Sequence, residues 1–236
     1  MKKKIYIIVS AVLLVITLTG CFKKNMEADE VGSLFVDHFI YQKKDAEFKE
    51  NFVDGELLSK QLLLMTSTFE DTFSNVFDSV ATDFSPEEKN QLSTGLMKSV
   101  REHSHYKVKT EKIDKNRTQV TYTIHGLDYS DLVEKTLESI FKELMKNPEY
   151  SDESGKKGLL QAFDQSLESA KPVEKSVEVS LFFEKNKKKW ELSENQDDEL
   201  EELLFSFISG TNDKVQYEKD MNQMLERAIK NASNSL

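Results

Sequence analysis

The stretch that decides the fold is Val177-Glu178-Val179-Ser180-Leu181-Phe182-Phe183-Glu184-Lys185-Asn186-Lys187-Lys188-Lys189-Trp190-Glu191-Leu192. Val173, Val177, Val179, Leu181 and Phe183 alternate with Glu174, Ser176, Glu178 and Ser180, the period of a strand with one buried face. A two-residue turn at Asn186-Lys187 is expected, which sets Phe183 opposite Trp190 and Leu181 opposite Leu192. The same period occurs upstream. Tyr106, Val108 and Thr110 alternate with His105, Lys107 and Lys109, and Val120, Tyr122 and Ile124 alternate with Gln119, Thr121 and Thr123. Asp114-Lys115-Asn116 between them predicts a hairpin with a three-residue turn and Asn116 in the left-handed position. Val108 then faces Tyr122, and His105 faces His125.

Outside the hairpins the apolar spacing is helical. Residues 29–42 carry Val31, Leu34, Phe35, His38 and Phe39 on one stripe, and Asp45 to Phe48 suggest a short second helix. Asp54 heads a long helix to Val80, where Leu57, Leu63 and Leu64 widen the apolar stripe beyond one face and predict a position central to the core. Ser85-Pro86-Glu87-Glu88 has the layout of a capping box with proline in the first turn. Asp128 caps a further helix, another follows at about 152–170, and two close the chain, with Gly210 as the stop between them and 231–236 frayed. The order is helices over 29–104, a hairpin over 105–127, helices over 128–171, a hairpin over 173–194 and helices over 196–230. This predicts one α+β domain over 29–236, with an antiparallel sheet of about four strands packed against N-terminal, inserted and C-terminal helices.

The amino terminus has a different character. Lys2, Lys3 and Lys4 precede an apolar run from Ile5 to Leu18, too short to span a bilayer and laid out as a secretory signal. The ending Leu18-Thr19-Gly20-Cys21 resembles the lipobox of bacterial lipoproteins. That resemblance implies a signal peptide over 1–20, diacylglyceryl modification of Cys21 (palmitate being a typical acyl chain), and a linker over 21–28. Two acyl chains anchor stably where one does not. Cys21 is the sole cysteine, so the exported domain holds together without disulfides. The leader takes three lysines and no acid from a chain of net charge −10, leaving 29 Lys+Arg against 42 Asp+Glu, or −13. So acidic a body excludes nucleic acid as a partner. Lys23 and Lys24 are placed where a membrane-proximal basic pair helps.

The hairpin from His105 to Leu127, with Gly126-Leu127-Asp128 leading into a helix, and the hairpin ending Lys189-Trp190-Glu191-Leu192 resemble Gram-positive lipoproteins that carry a curved sheet like that of the nuclear-transport-factor-2-like and cystatin-like superfamily. The chain departs from that pattern by inserting two helices between the hairpins and adding two after them. The resemblance implies an extracytoplasmic, lipid-anchored domain. It leaves open a cone-shaped cavity for a small apolar ligand.

Candidate chemistry is sparse. His103, His105 and His125 could share a strand face and hold a metal ion, if the strand begins early enough. His38 lies on an apolar stripe, and with Tyr106 and Tyr122 it could line a ligand pocket; packing is the simpler role for all three. The acids Asp197, Asp198 and Glu199 lack the glycine turn of a calcium loop and suit a first helical turn. There is no phosphate loop, nucleophile elbow or zinc-protease helix, and nothing calls for a cofactor. The expectation is a non-catalytic binding or interaction module at the cell envelope, held to the membrane through Cys21, with an unidentified protein or envelope component as partner.

Overall fold

The computed structural model describes residues 26–73, 84–146 and 152–234. Cys21, the leader and the end of the expected helix to Val80 lie outside them. Within them the order is α1 (Ala28–Phe39), α2 (Asp45–Asn51), α3 (Gly55–Phe73), α4 (Pro86–His103), β1 (His105–Lys112), β2 (Arg117–His125), α5 (Tyr129–Lys146), α6 (Asp152–Glu168), β3 (Val177–Asn186), β4 (Lys189–Leu192), α7 (Asp197–Ser209) and α8 (Lys214–Asn234). The four strands form one antiparallel sheet in the order β1-β2-β3-β4. This is the α+β architecture read from the sequence.

Alternation decides which face is covered. Val120, Tyr122 and Ile124 of β2 and Val179, Leu181 and Phe183 of β3 are buried, while the residues between them stay partly open. On the open face Gln119, Thr121 and Ser180 join through hydroxyl and amide hydrogen bonds of 2.8–3.0 Å. Helices α1 and α7 both pack on the sheet. α1 approaches it most closely at Gly32, where a Cβ would stand 2.6 Å from Cγ1 of Val120 and 3.1 Å from Cγ1 of Val108. The Tyr122 hydroxyl donates to the Gly32 carbonyl at 3.1 Å. Behind that contact, Phe35, Phe39, Phe48, Phe52 and Phe183 fill the space between α1, α2 and the sheet. One contiguous cluster of buried residues runs from this layer into α4, α5, α6 and α8.

The caps read at Ser85 and Asp128 form, whereas Asp54 precedes α3 with φ +47°. Ser85 accepts from the Glu88 amide at 3.2 Å, and Glu88 accepts from the Ser85 amide at 2.7 Å. Asp128 accepts from the Asp131 amide, and Gly210 ends α7 with φ +70°.

Several expectations are corrected. In the first hairpin the register is as read, with Val108 opposite Tyr122, but Asn116 is not left-handed. Asp114 accepts from the amides of Asn116 and Arg117 at 2.8 and 2.9 Å and closes the turn without a positive φ. These donors hold the Asp114 carboxyl below its ordinary pKa. In the second hairpin the turn falls one residue later. Phe183 faces Leu192 and Lys185 faces Trp190, and Lys187 takes the left-handed conformation, φ +57°. The shift brings the Lys185 ammonium 5.3 Å from the Trp190 ring centre.

Val173 lies before β3. Its amide donates to the Gly126 carbonyl, at the junction where the Leu127–Pro172 bridge also forms. β4 is only four residues long because the buried Gln196 side chain takes over its pairing, accepting from the Phe182 amide at 2.6 Å and donating to the Phe182 carbonyl at 2.9 Å. α3 is not central: Leu57, Leu63 and Leu64 are 57%, 42% and 66% exposed, and only the stripe through Leu58, Leu62 and Met65 turns inward. α8 continues to Asn234 with Ala232 fully buried, so the expected fraying from Asn231 does not occur up to that residue.

Candidate functional site

The histidine and tyrosine candidates each occupy a definite place; Cys21 lies outside the described residues. The rings of His105 and His125 stack with centres 4.6 Å apart and planes 13° apart. A metal ion must lie in the plane of each imidazole that ligates it, and stacked parallel rings offer no shared point in both planes. His125 Nδ1 also lies 3.1 Å from the Val173 carbonyl. His103 is the last residue of α4 rather than part of β1, so it does not continue the strand face. Among the described residues no three His, Cys, Asp or Glu side chains converge as a metal site.

His38 is buried, stacked on Phe48 with ring centres 4.0 Å apart. Its Nε2 lies 3.0 Å from Ser59 Oγ and its Nδ1 lies 3.9 Å from Asp45 Oδ1. The order serine, histidine, aspartate matches a nucleophilic triad on paper. The geometry denies it. Ser59 is 2% exposed, His38 Nδ1 makes no hydrogen bond, and the Ser59 hydroxyl also reaches Asp45 at 3.5 Å. A substrate carbonyl has no path to Oγ, and the trio ties α1, α2 and α3 together.

Burial holds the His38 imidazole below its ordinary pKa of 6.5, against the smaller opposing pull of Asp45. As pH falls past 6.5 the unfolded chain takes up a proton that the folded chain refuses. The stability carried by neutral His38 is therefore complete above that pH and is lost as pH falls through its lower folded-state value. Urea denaturation between about pH 7.5 and about pH 5.5 should show this slope in wild type and a flatter one in His38→Gln.

Tyr106 and Tyr122 face the core, as read. The Tyr106 hydroxyl lies 3.0 Å from Asp37 Oδ1 and 3.2 Å from the Ser33 carbonyl, and Asp37 in turn pairs with Lys44 at 2.8 Å. Desolvation raises the pKa of both phenols, with the Asp37 charge adding to the effect at Tyr106. Both stay protonated at neutral pH and clamp α1 to the sheet. The Asp37 partner was not legible in the sequence, because it needs α1 and β1 to cross.

The structure also holds an open groove that sequence reading missed. It measures about 1030 Å³ and lies between the start of α1, helix α2 and the β3–β4 turn. Asp29, Glu30, Glu47 and Glu50 line it from the helices, and Lys188 and Lys189 line it from the turn. Its floor includes Met26, whose carbonyl accepts from Trp190 Nε1 at 3.0 Å. The available signal was the run Lys185-Asn186-Lys187-Lys188-Lys189, which reads as turn chemistry until the turn is placed beside the amino terminus. Among the described residues no helix is long and apolar enough to cross a membrane.

Among solved structures, the fold is similar to that of the "putative lipoprotein (ycdA)" of Bacillus subtilis subsp. subtilis str. 168, with a TM-score of 0.59 and 19% sequence identity. The match covers 77% of this chain and 55% of that one, so it spans little more than half of the Bacillus protein. Among curated proteins none matches. The family model described as "Domain of unknown function (DUF5105)" matches residues 18–208, well over half of the sequence, and the chain belongs to that family.

Proposed function

We propose that this protein is a lipid-anchored extracytoplasmic lipoprotein that acts as a non-catalytic binding module at the cell envelope. The observation that carries the reading is the junction at Met26. Five residues after the lipobox cysteine the chain is already fastened to the domain through Trp190, beside an open groove lined by four acids and Lys44 on the helix side and by Lys188 and Lys189 on the turn side. The fold shared with the Bacillus lipoprotein supports it. So does the fate of the reactive groups: His38, Ser59, Tyr106 and Tyr122 are spent on joining α1 to its neighbours. A bipolar open groove suits an extended partner segment carrying both charges better than an enclosed small molecule.

Metabolic labelling with an alkyne-tagged fatty acid tests the anchor. Wild type should take up the label and sediment with membranes. Cys21→Ser should remain unlabelled and appear in the culture medium. Wild-type protein that stays unlabelled, or that remains in the cytosol, would sink the reading.

A further inference from the structure

We propose that the β3–β4 turn is a docking surface for an anionic phospholipid bilayer, so that the domain lies on the membrane with this turn against the headgroups. The inference rests on the anchor reading above and adds an orientation to it.

Position comes first. Trp190 Nε1 donates to the Met26 carbonyl, and the Lys189 ammonium donates to the Phe52 carbonyl at 3.2 Å, so the turn is fixed to the end of the domain where the chain enters. Met26 follows Cys21 by five residues, a tether of at most about 18 Å fully extended. An acylated Cys21 therefore holds this end, and no other, near the lipid.

Charge is the second argument. Four of the five residues from Lys185 to Asn186 to Lys189 are lysines in a chain of net charge −10. Lys187, Lys188 and Lys189 are exposed. Lys187 and Lys188 form no ion pair among the described residues, so their charge is uncompensated at the turn. Two acids flank the turn: Glu191 accepts from Asn186 and Glu184 from Ser193, so the four lysines outnumber them two to one. Two more lysines, Lys23 and Lys24, lie in the tether itself.

The local backbone points the same way. Adjacent lysines repel one another, and Lys187 occupies a left-handed position that glycine or asparagine fills at lower cost. Across the groove, Asp29, Glu30 and Glu47 would be repelled by the same headgroups. The two walls thus favour a single tilt, with the turn toward the lipid and the acidic wall away from it. A basic residue near an anionic surface strengthens association by roughly five-fold, an effect that decays within a Debye length of about 8 Å at physiological salt.

The only tryptophan in the chain, Trp190, reports on the contact directly. Full-length lipidated protein is reconstituted into phosphatidylcholine vesicles carrying a dansyl lipid, with or without phosphatidylglycerol, and energy transfer from Trp190 is measured. Transfer should be stronger with phosphatidylglycerol, fall as salt is raised, and drop to the phosphatidylcholine value in Lys187→Glu/Lys188→Glu. The same reversals at Lys219 and Lys230 of α8, which packs on α5, should leave it unchanged. Circular dichroism confirms that each variant is folded. Protein that floats with both kinds of vesicle but gives equal transfer at every salt concentration overturns the docking and leaves the anchor standing; an acidic protein or no occupant would then be the alternative for the turn. Protein that fails to float with phosphatidylcholine vesicles overturns the anchor, and the docking with it.

Discussion

Phe35→Ala is expected to lower the free energy of unfolding by about 3–5 kcal/mol, the usual range for emptying a phenylalanine site in a packed core. Phe35 is fully buried on α1, with ring centres at 5.3 Å from Phe183, 5.9 Å from Phe52 and 6.1 Å from both Phe39 and Phe48. The partners come from α1, α2, β3 and the residue after α2, so no single side-chain rotation closes the hole. Edge-to-face packing on Phe183 and Phe39 adds a geometric term that a smaller aliphatic residue cannot restore. The measurement is the midpoint of urea unfolding at unchanged m-value. A loss below about 1 kcal/mol would mean that α1 does not sit on the sheet as described. The expected loss is a large share of the total stability of an ordinary domain, about 5–15 kcal/mol.

Gly126→Ala is expected to be the other severe change, and it acts by overfilling. A Cβ at this position would lie inside contact distance of the Ser206 carbonyl oxygen and 2.9 Å from both the Phe207 carbonyl oxygen and the Gly210 nitrogen. All three are backbone atoms in the last turn of α7, so relief requires moving that helix. Moving it breaks the bond from the Leu127 amide to the Phe207 carbonyl and strains that from the Val173 amide to the Gly126 carbonyl, both 2.9 Å. Overpacking generally costs about 1–3 kcal/mol, and this site belongs at or above the top of that range. Hydrogen exchange at the Leu127 amide should accelerate together with the fall in melting temperature. Gly32→Ala is the useful contrast. There the obstruction is mainly the side chain of Val120, which can turn, and the loss should be smaller.

Period-two alternation was enough to locate both hairpins and to set the first one in register, because a slip by one residue would have exposed Tyr122 and Ile124 together. It could not place the second turn. Shifting that turn by one residue changes the pairing by two and keeps every side chain on its own face, so both registers satisfy the same pattern. The Lys185–Trp190 contact that accompanies the observed register puts a charged residue on the face of Val179, Leu181 and Phe183, which apolar alternation does not anticipate. α3 was misread for a related reason: composition gives the number of apolar side chains but not the number of neighbouring elements available to cover them. The groove was invisible because its walls come from α1, α2 and a hairpin far along the chain. Of the site candidates, the pairing of His105 with His125 followed from register alone. Whether their rings converge or stack is a matter of side-chain rotation that no spacing rule encodes.

The central seam of the sheet has a consequence for how the protein is made. β1 and β2 are sequence neighbours and can pair as soon as both exist, but β2 also pairs with β3, Thr118 against Phe183 and Ile124 against Val177, across an insert that contains α5 and α6. Contacts between segments so far apart require loop closure before they return any energy, and they slow folding. During that interval Val120, Tyr122 and Ile124 present an unpaired apolar edge. The nascent chain is therefore most vulnerable to aggregation between the appearance of β2 and the arrival of β3, and a chaperone that shields this one strand would protect most of the folding reaction.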